Sequence, residues 1–380
     1  MSIKIGIIGA GAIGRKHAEA AKAVGLDLAG IADVNLDSAE ILSDDFGGIW
    51  CVQDAQQIFN KPGIDAVVIG VPNAYHKDLA ISAMRAGKDV LLEKPMGLNT
   101  QECSEINHVA AETGRIIQIG FVHRFSSVGK SAKQMIDADE LGKVYHVKAQ
   151  LSRRRGIPGL GGWFTTKALS GGGPLIDVGV HVIDLALYLL GDRRPVRVSG
   201  KTYANFGNPI KDYIYESMWA GPPKPDGVFD VEDEAHALIH FDDGTTLNLE
   251  VAWAINTPAD SVPENLMGFF GDKGGLTFEL FGNHLNLATE IHKHNCDTKV
   301  YLPEVKRYEE QIADFARVVE ARGRPCATGE QGEIVQSIID AIYESSEIKQ
   351  EVPVRTFPDE TPSGRVEARP QLKTTAGHVG

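Results

Sequence analysis

The first 120 residues alternate between short continuous apolar runs and longer segments whose apolar positions recur every three to four residues. "KIGII" (Lys4 to Ile8) passes through glycines into the helical period of "RKHAEAAKAVG". "LDLAGIADVN" and "IDAVVIGVP" are further apolar runs, and "HKDLAISAMRAG" has helical period and closes at Gly87. "DVLLEKP", the helical "TQECSEINHVAAETG" and "RIIQIGFVHRF" follow. Apolar runs without polar alternation belong to strands covered on both faces. Strand–helix–strand repeated in this way predicts a parallel sheet with right-handed crossovers. Ligands bind beyond the carboxyl ends of such strands, and "VPNAYH" and "EKP" lie at two of those ends.

The pattern changes in the second half. "KVYHVKAQLS", "VRVSGKTYA", "EAHALIHF", "TTLNLEVAW" and "MGFFGDKGGLTFEL" carry strand signals, with Asp-Asp-Gly and Gly-Asp-Lys-Gly as hairpin turns. They predict a mostly antiparallel sheet, which can cover a pocket with one face and meet another subunit with the other. A homodimer or homotetramer is therefore expected. "EQGEIVQSIIDAIYESSEIKQ" is a final amphipathic helix, and residues 204–230 form a long connection rich in Gly, Pro and aromatics. The tail after Val354 is polar with three prolines and has the composition of a disordered segment; we expect it to be held by packing, against a neighbouring subunit for example.

A length of 380 residues suits two domains. The net charge of −13 argues against a duplex nucleic-acid partner. Four scattered cysteines without a C-x-x-C argue against a disulfide framework or a cysteine-rich zinc module. No apolar run is long enough to span a bilayer, and the start carries no basic leader, so a cytoplasmic protein with no membrane partner is expected.

Gly9, Gly11 and Gly14 form G-x-G-x-x-G directly after the first strand, with Ala12 and Ile13 between the last two. The first glycine permits the turn, the second lets a pyrophosphate approach the backbone, and the third lets helix and strand pack closely. Phosphates would rest on the free N–H groups of the helix N-terminus. Asp33 ends the second strand 19 residues beyond Gly14, where a carboxylate takes the ribose hydroxyls of NAD and repels a 2′-phosphate. The expected cofactor is NAD, bound by a Rossmann domain.

Taken together, "GIIGAGAIGRKHA", "GVPNAYH", "LLEKPMGLN", "GFVHRF" and "GGGPLIDVGVHVIDLALYLLG" resemble the glucose–fructose oxidoreductase/inositol dehydrogenase (Gfo/Idh/MocA) family. "RRRGIPGLGGWFTTK" resembles its levoglucosan and sugar 3-dehydrogenase branch. The resemblance implies an α/β plus α+β protein: an N-terminal Rossmann domain and a C-terminal domain on a large, mostly antiparallel sheet. We expect the NAD-binding domain at 1–123, a substrate-binding and oligomerisation domain at 124–354, and a tail at 355–380. The implied activity is NAD(P)-dependent oxidation or reduction of a sugar or cyclitol hydroxyl. The resemblance matches Lys94 to the family's EKP lysine and Asp177 and His181 to its D-x-x-x-H pair. It brings Val71, Pro72, Asn73 and His76 near the nicotinamide half, puts Glu93 beside the cofactor, and puts Arg124 in the substrate pocket. Rival readings are an NAD-dependent glycosidase that oxidises its substrate transiently, and a non-catalytic NAD- or sugar-sensing regulator.

The residues support the same chemistry directly. Oxidising a secondary alcohol sends a hydride to the cofactor and a proton to a base. His181 suits the proton, and the Lys94 ammonium suits developing alkoxide charge, a contribution of about 3 kcal/mol in comparable sites. Asp177 precedes His181 by four residues in an apolar helix, 174–190, so that an α-helix would set them on one face, the carboxylate orienting the imidazole. Pro95 keeps residue 94 out of helical conformation, at the strand's end. Asp184 could back His181 or serve as a helix–helix partner.

Weaker candidates remain. His292, His294 and Cys296 in "EIHKHNCD" would share one face of a strand, but lack a fourth ligand, and no metal site is assigned. Of Arg153, Arg154 and Arg155 in "SRRRG", alternation lets one at most reach a pocket. Trp163 offers a flat face to a sugar, with Lys167 and the threonines as hydrogen-bonding groups. The acidic run 230–234 reads as a strand entry.

Overall fold

The structure, a computed structural model, describes residues 3–216, 218–258 and 265–355. Six parallel strands form the first sheet: β1 (Lys4–Ile8), β2 (Asp27–Ala32), β3 (Cys51–Val52), β4 (Ala66–Ile69), β5 (Asp89–Leu92) and β6 (Ile117–Ile119). Their order, β3-β2-β1-β4-β5-β6, is that of a doubly wound dinucleotide fold. β4 and β5 are buried along their whole length, as unbroken apolar runs require. The strand order reverses between β1 and β4, which opens a crevice at their carboxyl ends. Asn99 caps the helix Thr100–Thr113, accepting from Glu102 N–H, and Gly114 closes it at φ 61°.

The second sheet has nine strands. They are β7 (Val144–Ser152), β8 (Pro195–Tyr203), β9 (Glu234–Phe241), β10 (Thr246–Ala252), β11 (Asn265–Gly271), β12 (Gly274–Phe278), β13 (His284–Ile291), β14 (His294–Tyr301) and β15 (Val352–Pro353). Their order is β14-β13-β12-β11-β7-β10-β9-β8-β15, antiparallel except for β7 beside β10. One face of β7, β9 and β10 is buried and the other is partly open. The covering elements include the helices Val180–Leu190 and Gly329–Ile348. The second of these also packs on the helix Thr100–Thr113, where Asp340 accepts from Thr100 N–H and Oγ1–H. The helix Arg307–Ala321 returns to the first sheet, burying Ile312 and Phe315 in one cluster with Ile5 and Ile7.

The segment around His292 differs from the expectation. His292 and Lys293 form a turn, at φ 52° and 66°, between β13 and β14, so His292, His294 and Cys296 do not share one strand face. The helical stretch Lys167–Leu190 is long and apolar enough to cross a membrane, but 78% of its most apolar window is buried inside the fold. The expected packing of the tail concerns residues that, from 356 onward, lie outside those described.

Candidate functional site

The glycine turn is built for close approach. A Cβ on Gly14 would lie 1.8 Å from the Gly9 carbonyl oxygen, and one on Gly9 2.4 Å from the Gly70 carbonyl oxygen. Gly9 sits at φ 96°, which L side chains rarely adopt. Around Gly11 the space is open, with nothing within 4 Å of an added Cβ. The helix Ala12–Ala23 starts there, its first N–H groups free for an anion, and Ile13 packs toward Gly70. The Asp33 carboxylate stands beside this turn and accepts from Ala10 N–H (2.7 Å) and Asn35 N–H (2.8 Å). A tight turn, an open second glycine and a carboxylate at the end of β2 fit a dinucleotide.

Val71, Pro72 and Asn73 follow β4 at the crevice. Asn73 is buried and donates to the Ser170 carbonyl (2.8 Å), joining this turn to the second half of the chain. His76 is buried with Nδ1 2.7 Å from the Pro95 carbonyl oxygen and Nε2 3.0 Å from that of Val71. Both ring nitrogens face backbone carbonyls, one of them as the N–H donor, and the imidazole ties the ends of β4 and β5. Glu93 is buried against His17, whose Nε2 lies 2.7 Å from Oε1. Burial alone would raise the Glu93 carboxyl, but His17 and Lys94 outweigh it and hold it below its ordinary range.

Lys94 leaves the end of β5 and reaches the other half of the chain. Its ammonium donates to the Asp177 carbonyl (2.8 Å) and to Asp177 Oδ1 (2.9 Å). Trp253 Nε1–H donates to Asp177 Oδ2 at 3.0 Å. The expectation that Asp177 orients His181 is therefore corrected: its carboxylate holds Lys94 and Trp253. The reason is local. Leu175–Gly179 is a turn of π-helix, and α-helix begins only at Val180, so the α-helical four-residue repeat does not carry from Asp177 to His181.

His181 stands instead against His123, their ring centroids 4.9 Å apart and nearly perpendicular. Nδ1 of each is buried without a partner among the described residues. Burial, then the charge of Lys94, holds His181 well below its ordinary range; burial, then Arg307 and Lys94, does the same for His123. Both rings are neutral near pH 7. His123 precedes Arg124 in "GFVHRF", and sequence reasoning passed over it in favour of the arginine.

Arg124 is the second correction. It is 2% exposed, and its guanidinium grips Asp184, with Nε 3.1 Å from both carboxylate oxygens and Nη2 2.5 Å from Oδ1. Its Nη1 donates to the Cys326 carbonyl and to Gln331 Oε1. With these partners it clamps the helix Val180–Leu190 to the turn Val122–Phe125, and four of its five N–H groups are spent on protein acceptors. Asp184 is thus a helix–helix partner. Trp163 stacks on Phe164 at 3.8 Å, with Phe164 edge-on to Trp219. The acidic run also supports the site. Glu232 accepts from Gly173 N–H, Leu175 N–H and Tyr343 O–H, fixing the turn that aims Asp177.

Comparison with known proteins agrees with this architecture. Residues 3–121 match the family model GFO_IDH_MocA, "Oxidoreductase family, NAD-binding Rossmann fold", and residues 130–277 match "GFO/IDH/MocA C-terminal domain". D-glucoside 3-dehydrogenase of Escherichia coli (strain K12) is 30% identical over 357 residues, which cover 91% of this chain and 95% of that protein. scyllo-Inositol 2-dehydrogenase (NAD(+)) of Bacillus subtilis (strain 168) is 33% identical over 191 residues, 50% of this chain and 54% of that one. The solved structure of a levoglucosan dehydrogenase in complex with NADH and L-sorbose has the same fold, with TM-score 0.81 at 23% identity over 94% of this chain and 100% of that one.

Proposed function

The chain belongs to the GFO/IDH/MocA oxidoreductase family, with its NAD-binding Rossmann domain, and from that premise we propose that it reversibly oxidises a secondary hydroxyl of a sugar or cyclitol. The relatives named above support the substrate class: one acts on D-glucosides and another on scyllo-inositol. The observation that carries the reading is the bridge from Lys94, at the end of β5, to Asp177 in the π turn, with the His123–His181 ring pair under the charge of the same ammonium.

When bound, NAD accepts the hydride released from the carbinol carbon. The Gly9–Gly14 turn would hold its pyrophosphate and Asp33 its ribose hydroxyls. Lys94 has three N–H donors and gives two to Asp177, so one remains for the substrate oxygen. Its charge stabilises the alkoxide as it forms. His181 is neutral and takes the hydroxyl proton. Asp177 keeps the ammonium in place, and Trp253 keeps Asp177 in place. His123, pressed against His181, fixes the ring's position. The four cysteines are all free, which supports a reducing, cytoplasmic setting.

A panel of sugars and cyclitols, followed at the NADH absorbance, tests the reading. A substrate should produce NADH in step with its own oxidation. Lys94→Ala and His181→Ala should each retain NADH binding and lose roughly 100- to 10,000-fold in kcat. Full turnover in either variant would overturn the assigned roles. Cleavage of a glycoside without accumulation of NADH would favour the transient-oxidation glycosidase instead.

A further inference from the structure

The nine-stranded sheet ends differently on its two sides. One edge is β15, two residues long and ending in Pro353, which has no N–H to offer a further strand. The other is β14, eight residues long, without proline or glycine, in unbroken register with β13, and exposed or half-exposed throughout. A long free edge is a template for another strand, and proteins ordinarily blunt it. Among the described residues no strand pairs with the outer side of β14.

The hairpin fixes which backbone groups face outward. His292 and Lys293, both at positive φ, make a two-residue turn, which closes on Ile291 and His294 as a hydrogen-bonded pair. At the far end Leu302 N–H donates to the Asn283 carbonyl at 2.9 Å, in the same alternation. His294, Cys296, Thr298, Val300 and Leu302 therefore turn their N–H and C=O groups toward β13, and Asn295, Asp297, Lys299 and Tyr301 turn theirs away from the sheet. Side chains alternate with the same period. Cys296, Thr298 and Val300 lie on the face that buries Leu285, and Asp297 and Lys299 lie on the opposite, exposed face. Among the described residues neither Asp297 nor Lys299 has an ion-pair partner.

A second copy of this strand, turned about a two-fold axis perpendicular to the sheet, runs antiparallel to the first. Outward-facing residues must then meet outward-facing residues, which leaves few registers. With Asp297 opposite its own copy, two carboxylates meet; with Lys299 opposite its own copy, two ammoniums do. The register between these two centres on Thr298. It sets each Asp297 opposite a Lys299, each Asn295 opposite a Tyr301, and, on the other face, each Cys296 opposite a Val300. Charges that repel in the neighbouring registers attract in this one.

We propose that β14 is an interface between copies of this chain: two β14 strands join antiparallel, centred on Thr298, so that two nine-stranded sheets become one. The occupant is a second copy because the strand complements itself, in charge and in hydrogen-bonding parity, at a single register. The proposal stands apart from the reading of the site as a sugar dehydrogenase.

The test uses the full chain with Cys296→Ser, so that an introduced thiol stands alone on the strand. Thr298→Cys sets two thiols opposite each other at the axis, in a non-hydrogen-bonded pair with Cα atoms about 4.5 Å apart, within reach of a disulfide. Mild oxidation should convert most of that variant to a covalent dimer. Asp297→Cys and Lys299→Cys should give little, since each lies diagonally across from its own copy. Sedimentation over a dilution series should show Asp297→Lys and Lys299→Asp each weakening self-association by roughly 10-fold or more, and the two together restoring it. Asp297, Thr298 and Lys299 are exposed, so each variant should keep NADH binding, which reports that it is folded. A chain that stays monomeric at every concentration overturns the interface. So does association that neither charge reversal weakens. Cross-linking at Asp297→Cys or Lys299→Cys as ready as at Thr298→Cys, or a double reversal no better than the single ones, overturns the register.

Discussion

On the proposed reading Asp33 sets which dinucleotide the crevice accepts, because its carboxylate stands beside the glycine turn at the end of β2, where a 2′-phosphate would be repelled. Val34 and Asn35 next to it offer no cation. The carboxylate is fixed by two backbone N–H groups and keeps lone pairs for ribose hydroxyls. Asp33→Ser should weaken NADH binding by roughly 10- to 100-fold, the range for a hydrogen bond to a charged group. The same change should narrow the preference over NADPH, since the repulsive charge goes with the side chain. Fluorescence titration with both reduced dinucleotides reads the two effects, and an unaltered protein that already prefers NADPH would sink the argument. Lys94 and Asp177 show a different dependence. Each was legible as a residue type with a chemistry, but their pairing was not, because it joins positions 83 apart in the chain.

Among the elements, the legible ones were those with a buried face. β4 and β5 are unbroken apolar runs, and β9 and β10 alternate around an Asp-Asp-Gly turn, so pattern alone predicts them. β14 is exposed or half-exposed along its length and carries no apolar alternation, so pattern does not reveal its hairpin with β13. The π turn at Leu175–Gly179 was hidden for another reason: its sequence is as apolar as an α-helix, and the extra residue per turn is set by packing and by Glu232. Arg124 was misread because a buried guanidinium and a pocket guanidinium have the same one-dimensional signature. Its partner Asp184 ties the helix Val180–Leu190 to the turn Val122–Phe125. Burial pushes the Asp184 carboxyl up, and Arg124 offsets this only in part. Asp184→Asn leaves the guanidinium buried without a countercharge, and should cost about 3–5 kcal/mol. For a chain of this size the melting temperature should fall by roughly 10 °C. Pairing Arg124→Met with Asp184→Leu should recover much of it; thermal denaturation of the single and double variants makes the comparison. A melting temperature unchanged in Asp184→Asn would mean that the pair holds nothing together.

For the whole molecule, the buried histidines make stability depend on pH in a defined sense. His76, His123 and His181 are all lowered from 6.5, chiefly by burial. A group whose folded pKa is depressed contributes stability that is present above its unfolded value and lost as pH falls toward the folded one. Below pH 6.5 the unfolded chain takes up protons that the folded chain refuses. His123 and His181, held well below that value, each then contribute a slope approaching about 1.4 kcal/mol per pH unit, and His76 adds in the same direction. The buried carboxylates Asp184 and Glu232 are raised, so they oppose this trend, but their windows open upward from 3.8 and 4.5. Between pH 6.5 and about 5.5 the histidines should dominate, and the melting temperature should drop steadily on acidification. Replacing His123 by Gln should flatten part of that slope, and a melting temperature that stays level or rises from pH 7.5 to 5.5 would refute the account. The same burial has an opposite consequence for catalysis. His181 stays unprotonated well below 6.5 and remains able to accept a proton, so kcat/KM measured on the folded fraction should hold level over that interval. Acid should therefore remove activity by unfolding the protein before it protonates the base. Parallel melting and rate measurements at each pH would separate the two.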